Sequence, residues 1–142
     1  MAKQKIKKTG EELFLEYYSE LYGERFQKLK DSLALESDYF SLQFDSNSKT
    51  YFLDSGSVLA ALALPLENAN EILDLCAAPG GKTLVLAKNM KKEAHLTSNE
   101  YSKDRYIRLK NVILEHLPES VFSRIKTMRL DDKLKRGRIP FQ

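Results

Sequence analysis

The segment Glu71-Ile72-Leu73-Asp74-Leu75-Cys76-Ala77-Ala78-Pro79-Gly80-Gly81-Lys82-Thr83 changes texture twice within thirteen residues. It opens on a short apolar run with the composition of a buried strand over 71–75. Small residues, a proline and two glycines follow, which fits a tight loop. Helix formers then dominate over 82–90. Strand, glycine turn and helix in that order make a ligand site on physical grounds. Gly80 and Gly81 lack Cβ, so a ligand can approach the backbone closely. The helix that follows aims its first N–H groups at the same place, which suits a carboxylate or a phosphate. Glu100 lies 19 residues beyond Gly81. An acid about 20 residues past such a turn is placed to accept from ribose hydroxyls. A ligand carrying a ribose is therefore expected.

The alternation continues downstream. A second strand is expected over 94–98 and a helix over 102–117, with Tyr106, Leu109, Ile113 and Leu117 on its inner face and Pro118 as its stop. A third strand is expected over 125–130. Strands alternating with helices imply parallel crossovers and an α/β sheet covered on both faces.

Upstream, Thr9 and Glu12 form a capping box. Phe14, Tyr17, Tyr18, Leu21, Tyr22, Phe26, Leu29 and Leu33 then recur at three- and four-residue spacing. One helix over 10–34 is expected, continuing through Gly23. Its aromatic stripe is read as core, with stacking on RNA bases as the alternative. Tyr39, Phe40, Leu42 and Phe44 with the turn cluster Asp45-Ser46-Asn47-Ser48 predict a hairpin or extended linker. A helix over 55–64, ended by Pro65 and nearly all apolar, is expected to be buried.

Composition excludes several classes. With 142 residues and 42% hydrophobic content, the chain has room for one core and is not wholly disordered. The apolar run over 58–66 is nine residues and contains Pro65, whereas a membrane span needs about 20. The lysine-rich start has no apolar stretch behind it, so neither a secretory signal nor a transit peptide is read there. Cys76 has no second cysteine, and His95 and His116 are far apart, so neither a disulfide nor a zinc site is expected. A cytoplasmic location follows as an expectation. The net charge of +3 hides its layout. Lys3, Lys5, Lys7 and Lys8 open the chain and Lys133, Lys135, Arg136 and Arg138 close it, leaving a body with 15 basic and 20 acidic residues. The tails are either solvated or contact nucleic-acid phosphate, and charge alone leaves both open.

Two phosphate-loop readings meet obstacles. Gly81-Lys82-Thr83 matches the end of a P-loop, but its first glycine would stand at Cys76. A G-x-G-x-x-G dinucleotide fingerprint is absent. The run Leu73-Asp74-Leu75-Cys76-Ala77-Ala78-Pro79-Gly80-Gly81-Lys82-Thr83 instead resembles motif I of the RsmB/Nop/Sun-type RNA cytosine-5 methyltransferases, which use S-adenosylmethionine. Tyr51-Phe52-Leu53-Asp54-Ser55-Gly56-Ser57 resembles the family's upstream Q-D-x-[AG]-S element, with Leu53 where glutamine often sits. Asn99-Glu100 with Arg105, Leu109 and Asn111 resembles motif II, and Leu130-Asp131-Asp132 the end of the motif III strand. About residues 50–132 are covered.

The resemblance implies a truncated Rossmann-like class I methyltransferase fold, its first β-α-β-α-β half, behind an N-terminal helical segment. It implies a basic tail over 1–9, helix and linker over 10–50, a cofactor-binding half over 51–132 and a basic tail over 133–142. Cys76, Ala77, Ala78, Pro79, Gly80, Gly81 and Lys82 would wrap the methionine end of S-adenosylmethionine. Glu100 would bind the ribose. Asp131 or Asp132, with Asp131 preferred, would sit near the adenine amino group. Against these stand simpler readings: Lys82 as a solvated helix residue, Glu100 as a surface acid, and Asp54 as a helix cap. Cytosine methylation needs a thiolate to attack carbon 6. In the family that cysteine lies downstream of motif I, so Cys76 is assigned to the cofactor loop and no catalytic residue to this chain. The fold has seven strands where three are read here, and the family's D-A-P-C-S element is not found. A fragment of an RNA methyltransferase, inactive by itself, is the expectation. A split enzyme completed by a second polypeptide and a non-enzymatic RNA- or cofactor-binding module are the alternatives. No metal and no membrane partner are expected.

Overall fold

The computed structural model describes residues 8–129. The expectations for residues 1–7, for the basic tail over 133–142 and for Leu130, Asp131 and Asp132 lie outside the described residues. The chain divides into two compact units between Ser37 and Asp38.

The first unit holds α1 (Gly10–Tyr22) and α2 (Arg25–Ala34). The capping box forms: the Glu12 N–H donates to Thr9 Oγ1 at 3.2 Å, and the Thr9 N–H donates to Glu12 Oε2 at 2.7 Å. The single helix over 10–34 is corrected to two. Gly23 takes φ of +53°, outside the helical region, and its N–H donates to the Ser19 carbonyl to close α1. The core reading of the stripe is corrected too, because no residue of either helix is buried. The aromatic rings pack on one another instead. Phe14 lies 4.6 Å from Tyr18, and Tyr18 stacks on Tyr22 at 5.9 Å.

The second unit starts with a hairpin. β1 (Tyr39–Leu42) pairs antiparallel with β2 (Tyr51–Asp54), Leu42 facing Tyr51 and Tyr39 facing Asp54. Asp45 makes the turn, its Oδ1 accepting from the N–H groups of Asn47 at 2.9 Å and Ser48 at 2.7 Å. α3 (Ser55–Leu62) follows directly. It was expected to be buried, and this needs correction: only Val58 and Ala61 are, while Leu59 is 69% exposed. A uniformly apolar helix carries no periodicity to show which side is covered.

The β-α-β-α-β order is present. β3 (Glu71–Asp74), α4 (Gly81–Asn89), β4 (His95–Asn99), α5 (Lys103–His116) and β5 (Ile125–Met128) form a parallel sheet in the order β3-β4-β5. Ile72 faces Leu96, and Leu96 faces Ile125 on its other side. A one-turn helix α6 (Glu119–Phe122), absent from the sequence reading, leads into β5. The core gathers around the central strand and the two crossover helices, with Leu84, Leu96 and Leu109 fully buried and Ile113 and Val85 nearly so. Among the described residues the outer side of β3 has no strand partner.

Candidate cofactor site

Parallel strands leave their C-terminal ends at one edge of the sheet, and a crevice beyond that edge is where such folds hold ligands. The loop after β3 is fastened there from the β4 and α5 side. The Ala77 N–H donates to the Asn99 carbonyl at 2.9 Å. Asn99 Nδ2 donates to the Leu75 carbonyl at 3.0 Å. Arg105 Nη2 donates to the Ala78 carbonyl at 2.9 Å. Ala77 and Ala78 are buried, whereas Cys76 and Pro79 are exposed.

Glu100 stands one residue beyond β4 and is only 5% exposed, so the surface-acid reading fails. Its N–H donates to the Met128 carbonyl at 3.1 Å, tying it to β5. Its Oε1 accepts from the Ser102 N–H at 3.0 Å, and its Oε2 lies 3.5 Å from Arg105 Nη2. A carboxylate has about four acceptor positions, so capacity remains for hydroxyl donors.

The glycine turn is closely packed. Gly80 has φ of +126°, which side-chain-bearing residues rarely adopt, and a Cβ there would stand 2.8 Å from Val112 Cγ1. A Cβ on Gly81 would stand 3.1 Å from Tyr51 Cε1. Val112 of α5 fills the space at Gly80, so packing and backbone demand that glycine before any ligand does, whereas at Gly81 the Tyr51 ring of β2 would have to give by a few tenths of an ångström. No side chain caps α4.

Lys82 is exposed, and its Nζ donates to Ser57 Oγ at 3.3 Å, so it is not merely solvated. Asp54 is the cap of α3, its Oδ1 accepting from the Ser57 N–H at 2.8 Å. Hydrogen bonds from the Ser57 side chain and backbone hold its carboxyl below the ordinary value, with Lys82 adding to the effect. One helical residue on, the buried Thr83 hydroxyl donates to Asp74 Oδ2 at 2.8 Å and accepts from Ser98 Oγ at 3.4 Å. Burial raises the Asp74 carboxyl above its ordinary value, nearby Glu100 adds to the rise, and Thr83, Lys82 and the Cys76 N–H oppose it.

The structure thus places Cys76 through Lys82 and Glu100 at one end of the sheet, joined through Arg105. Asp131 and Asp132 lie outside the described residues. Sequence reasoning gave no role to Asp74, Thr83 or Arg105. Asp74 carried a readable signal, a charge inside an apolar strand beside the loop. The reach of Arg105 to Ala78 is a tertiary contact with no local mark. Among the described residues no cluster of three metal-ligating side chains occurs, and no helix is long and apolar enough to cross a membrane.

Comparison with known proteins gives the geometry a context. A family model described as 16S rRNA methyltransferase RsmB/F matches residues 61–132, half of the chain. The mitochondrial tRNA (cytosine(34)-C(5))-methyltransferase of Mus musculus is 36% identical over 91 residues, covering 64% of this chain and 26% of that protein. The 5-cytosine rRNA methyltransferase NSUN4 of Bos taurus is 42% identical over 71 residues, covering 50% of this chain and 18% of that protein. The chain therefore spans about a quarter or less of the length of these relatives. Among solved structures, a methyltransferase homologue from Pyrococcus horikoshii shares the fold, with a TM-score of 0.54 at 15% identity, covering 83% of this chain and 51% of that one.

Proposed function

The chain belongs to the RsmB/F family of 16S rRNA methyltransferases, and from that premise we propose that its second unit binds S-adenosylmethionine for methyl transfer to carbon 5 of a cytosine in ribosomal or transfer RNA. The observation that carries the reading is the Glu100 carboxylate, buried at the sheet edge beside a small-residue loop. Burying a charge costs free energy unless partners or a ligand offset it. Glu100 has one N–H donor and one distant guanidinium, and acceptor positions remain for the two hydroxyls of a ribose. Uncapped N–H groups at the start of α4 suit the carboxylate of an amino acid. The residues present therefore fit the cofactor.

In this reading the loop from Cys76 to Lys82 lines the methionine end. Glu100 fixes the ribose. Arg105 balances the Glu100 charge and holds the Ala78 carbonyl. Asp131, or Asp132 beside it, takes the adenine amino group. Bound S-adenosylmethionine supplies an electrophilic methyl group. Cys76 serves the loop, and the thiolate that must attack cytosine carbon 6 comes from outside residues 8–129, on further chain or on a second polypeptide.

Calorimetric titration of the 142-residue chain tests the reading, with ATP as control. Saturable binding of S-adenosylmethionine is expected, weakened about tenfold or more in Glu100→Ala, the scale of a lost charged hydrogen bond. ATP binding without S-adenosylmethionine binding would overturn it.

A further inference from the structure

His116 lies in the last turn of α5, at the opposite end of that helix from Arg105, and is only 6% exposed. Its Nδ1 lies 2.8 Å from the Lys49 carbonyl. A carbonyl only accepts, so Nδ1 carries the proton and donates. The imidazole meets the Tyr51 ring edge-on, at 5.1 Å and 84°. Beside it Lys49 forms an ion pair with Glu115, whose other carboxylate oxygen is 3.7 Å from His116 Nε2. The hairpin is thus held to α5 by one part-buried hydrogen bond, one ring contact and one exposed ion pair.

Tyr51 in turn is the wall against which Gly81 packs, within 3.1 Å of where a Cβ would stand, and Leu53 lies two residues along the same strand face at 3.6 Å. Gly81 is the first residue of α4, the helix whose opening N–H groups face the loop. A side chain in α5 is therefore connected, through the hairpin, to the first turn of the cofactor helix. A leucine in place of His116 would fill the space but leave the Lys49 carbonyl without its donor.

We propose that His116 and Tyr51 are positioning residues for the cofactor loop: His116 sets the hairpin, and the Tyr51 ring sets the first turn of α4. This rests on the cofactor-site reading for its functional meaning, and on packing for its physical effect.

Amide hydrogen exchange on the 142-residue chain without ligand reads the effect directly. In His116→Leu the amides over 84–87, the first hydrogen-bonded ones of α4, should exchange about tenfold faster or more, a local opening, while those over 105–110 stay unchanged. His116→Asn keeps an N–H near the Nδ1 position and should stay within about twofold of the parent chain. Parent-like exchange in His116→Leu, or no rescue by Asn, would overturn the proposal. Should His116→Leu fail to fold, a pair of variants carries the same test. Gly81→Ala should speed exchange over 84–87 because its Cβ meets the ring, and adding Tyr51→Leu should restore slow exchange; additive defects would overturn the proposal. Titration of the same proteins with S-adenosylmethionine separates the two claims. A parent chain that binds no cofactor but shows the expected exchange pattern removes the cofactor reading and leaves the strut. A His116→Leu variant that binds as tightly as the parent overturns the positioning role of His116 for the cofactor and leaves the cofactor reading.

Discussion

The two units are built on opposite terms. The helix pair over 10–34 has a clear apolar periodicity, a complete capping box and a ladder of aromatic rings, yet none of its residues is buried. The unit from Asp38 onward has shorter elements with weaker periodicity, and it holds every buried hydrophobic side chain among the described residues. Local signals shape the first unit, and long-range packing shapes the second. Amphipathic spacing tells which face of a helix is apolar, but it does not tell what covers that face.

The largest test of that contrast is a pair of truncations. Leu96→Ala opens a cavity in the central strand and should lower unfolding stability by about 2–5 kcal/mol. Leu21→Ala, on a side chain 57% exposed, should change it by no more than about 0.5 kcal/mol. Urea unfolding measures both, and equal losses would break the contrast. Next come the two glycines with positive φ. Gly80→Ala meets Val112 as well as backbone strain and should cost about 2 kcal/mol or more. Gly23→Ala meets nothing within 4 Å and should cost about 1 kcal/mol, from strain only. Thr9→Ala removes half of the capping box. It should weaken α1 by about 1 kcal/mol, seen as faster amide exchange over 10–22 and none over 81–89.

The smallest effect concerns pH. Burial raises the folded-state pKa of Asp74, so the folded chain binds that proton more tightly than the unfolded chain. Its contribution favours folding below the ordinary carboxylate value and is lost as pH rises through the folded value. Asp74→Asn keeps an acceptor for Thr83 and should remove that loss, leaving the variant slightly more stable than the parent at neutral pH. A variant less stable at neutral pH would show that the carboxylate charge itself supports the loop.

Much of the second unit was legible because its signals are local. The loop from Cys76 to Gly81 is small and rich in turn residues, a short apolar run precedes it and helix formers follow it, and Pro118 stops α5. Glu100 was singled out by its spacing from Gly81 and by the motif II resemblance, but its burial was not legible, since a surface acid also fitted the sequence. The reasons for Gly80 and Gly81 were not legible. They depend on Val112 and Tyr51, which lie 32 and 30 residues away in sequence. The bond from His116 to Lys49 spans 67 positions and leaves no trace in either segment. Gly23 was ambiguous for another reason: glycine tolerates both the helix and its end, and only the observed φ decides.

The central claim is that the loop after β3 and the acid after β4 form one cofactor site. Hydrogen exchange with and without saturating S-adenosylhomocysteine tests it most directly, because it reads position as well as binding. Slower exchange over 76–84 and over 99–105, abolished in Glu100→Ala, is the expected result. Saturable binding that leaves both stretches unprotected would contradict it.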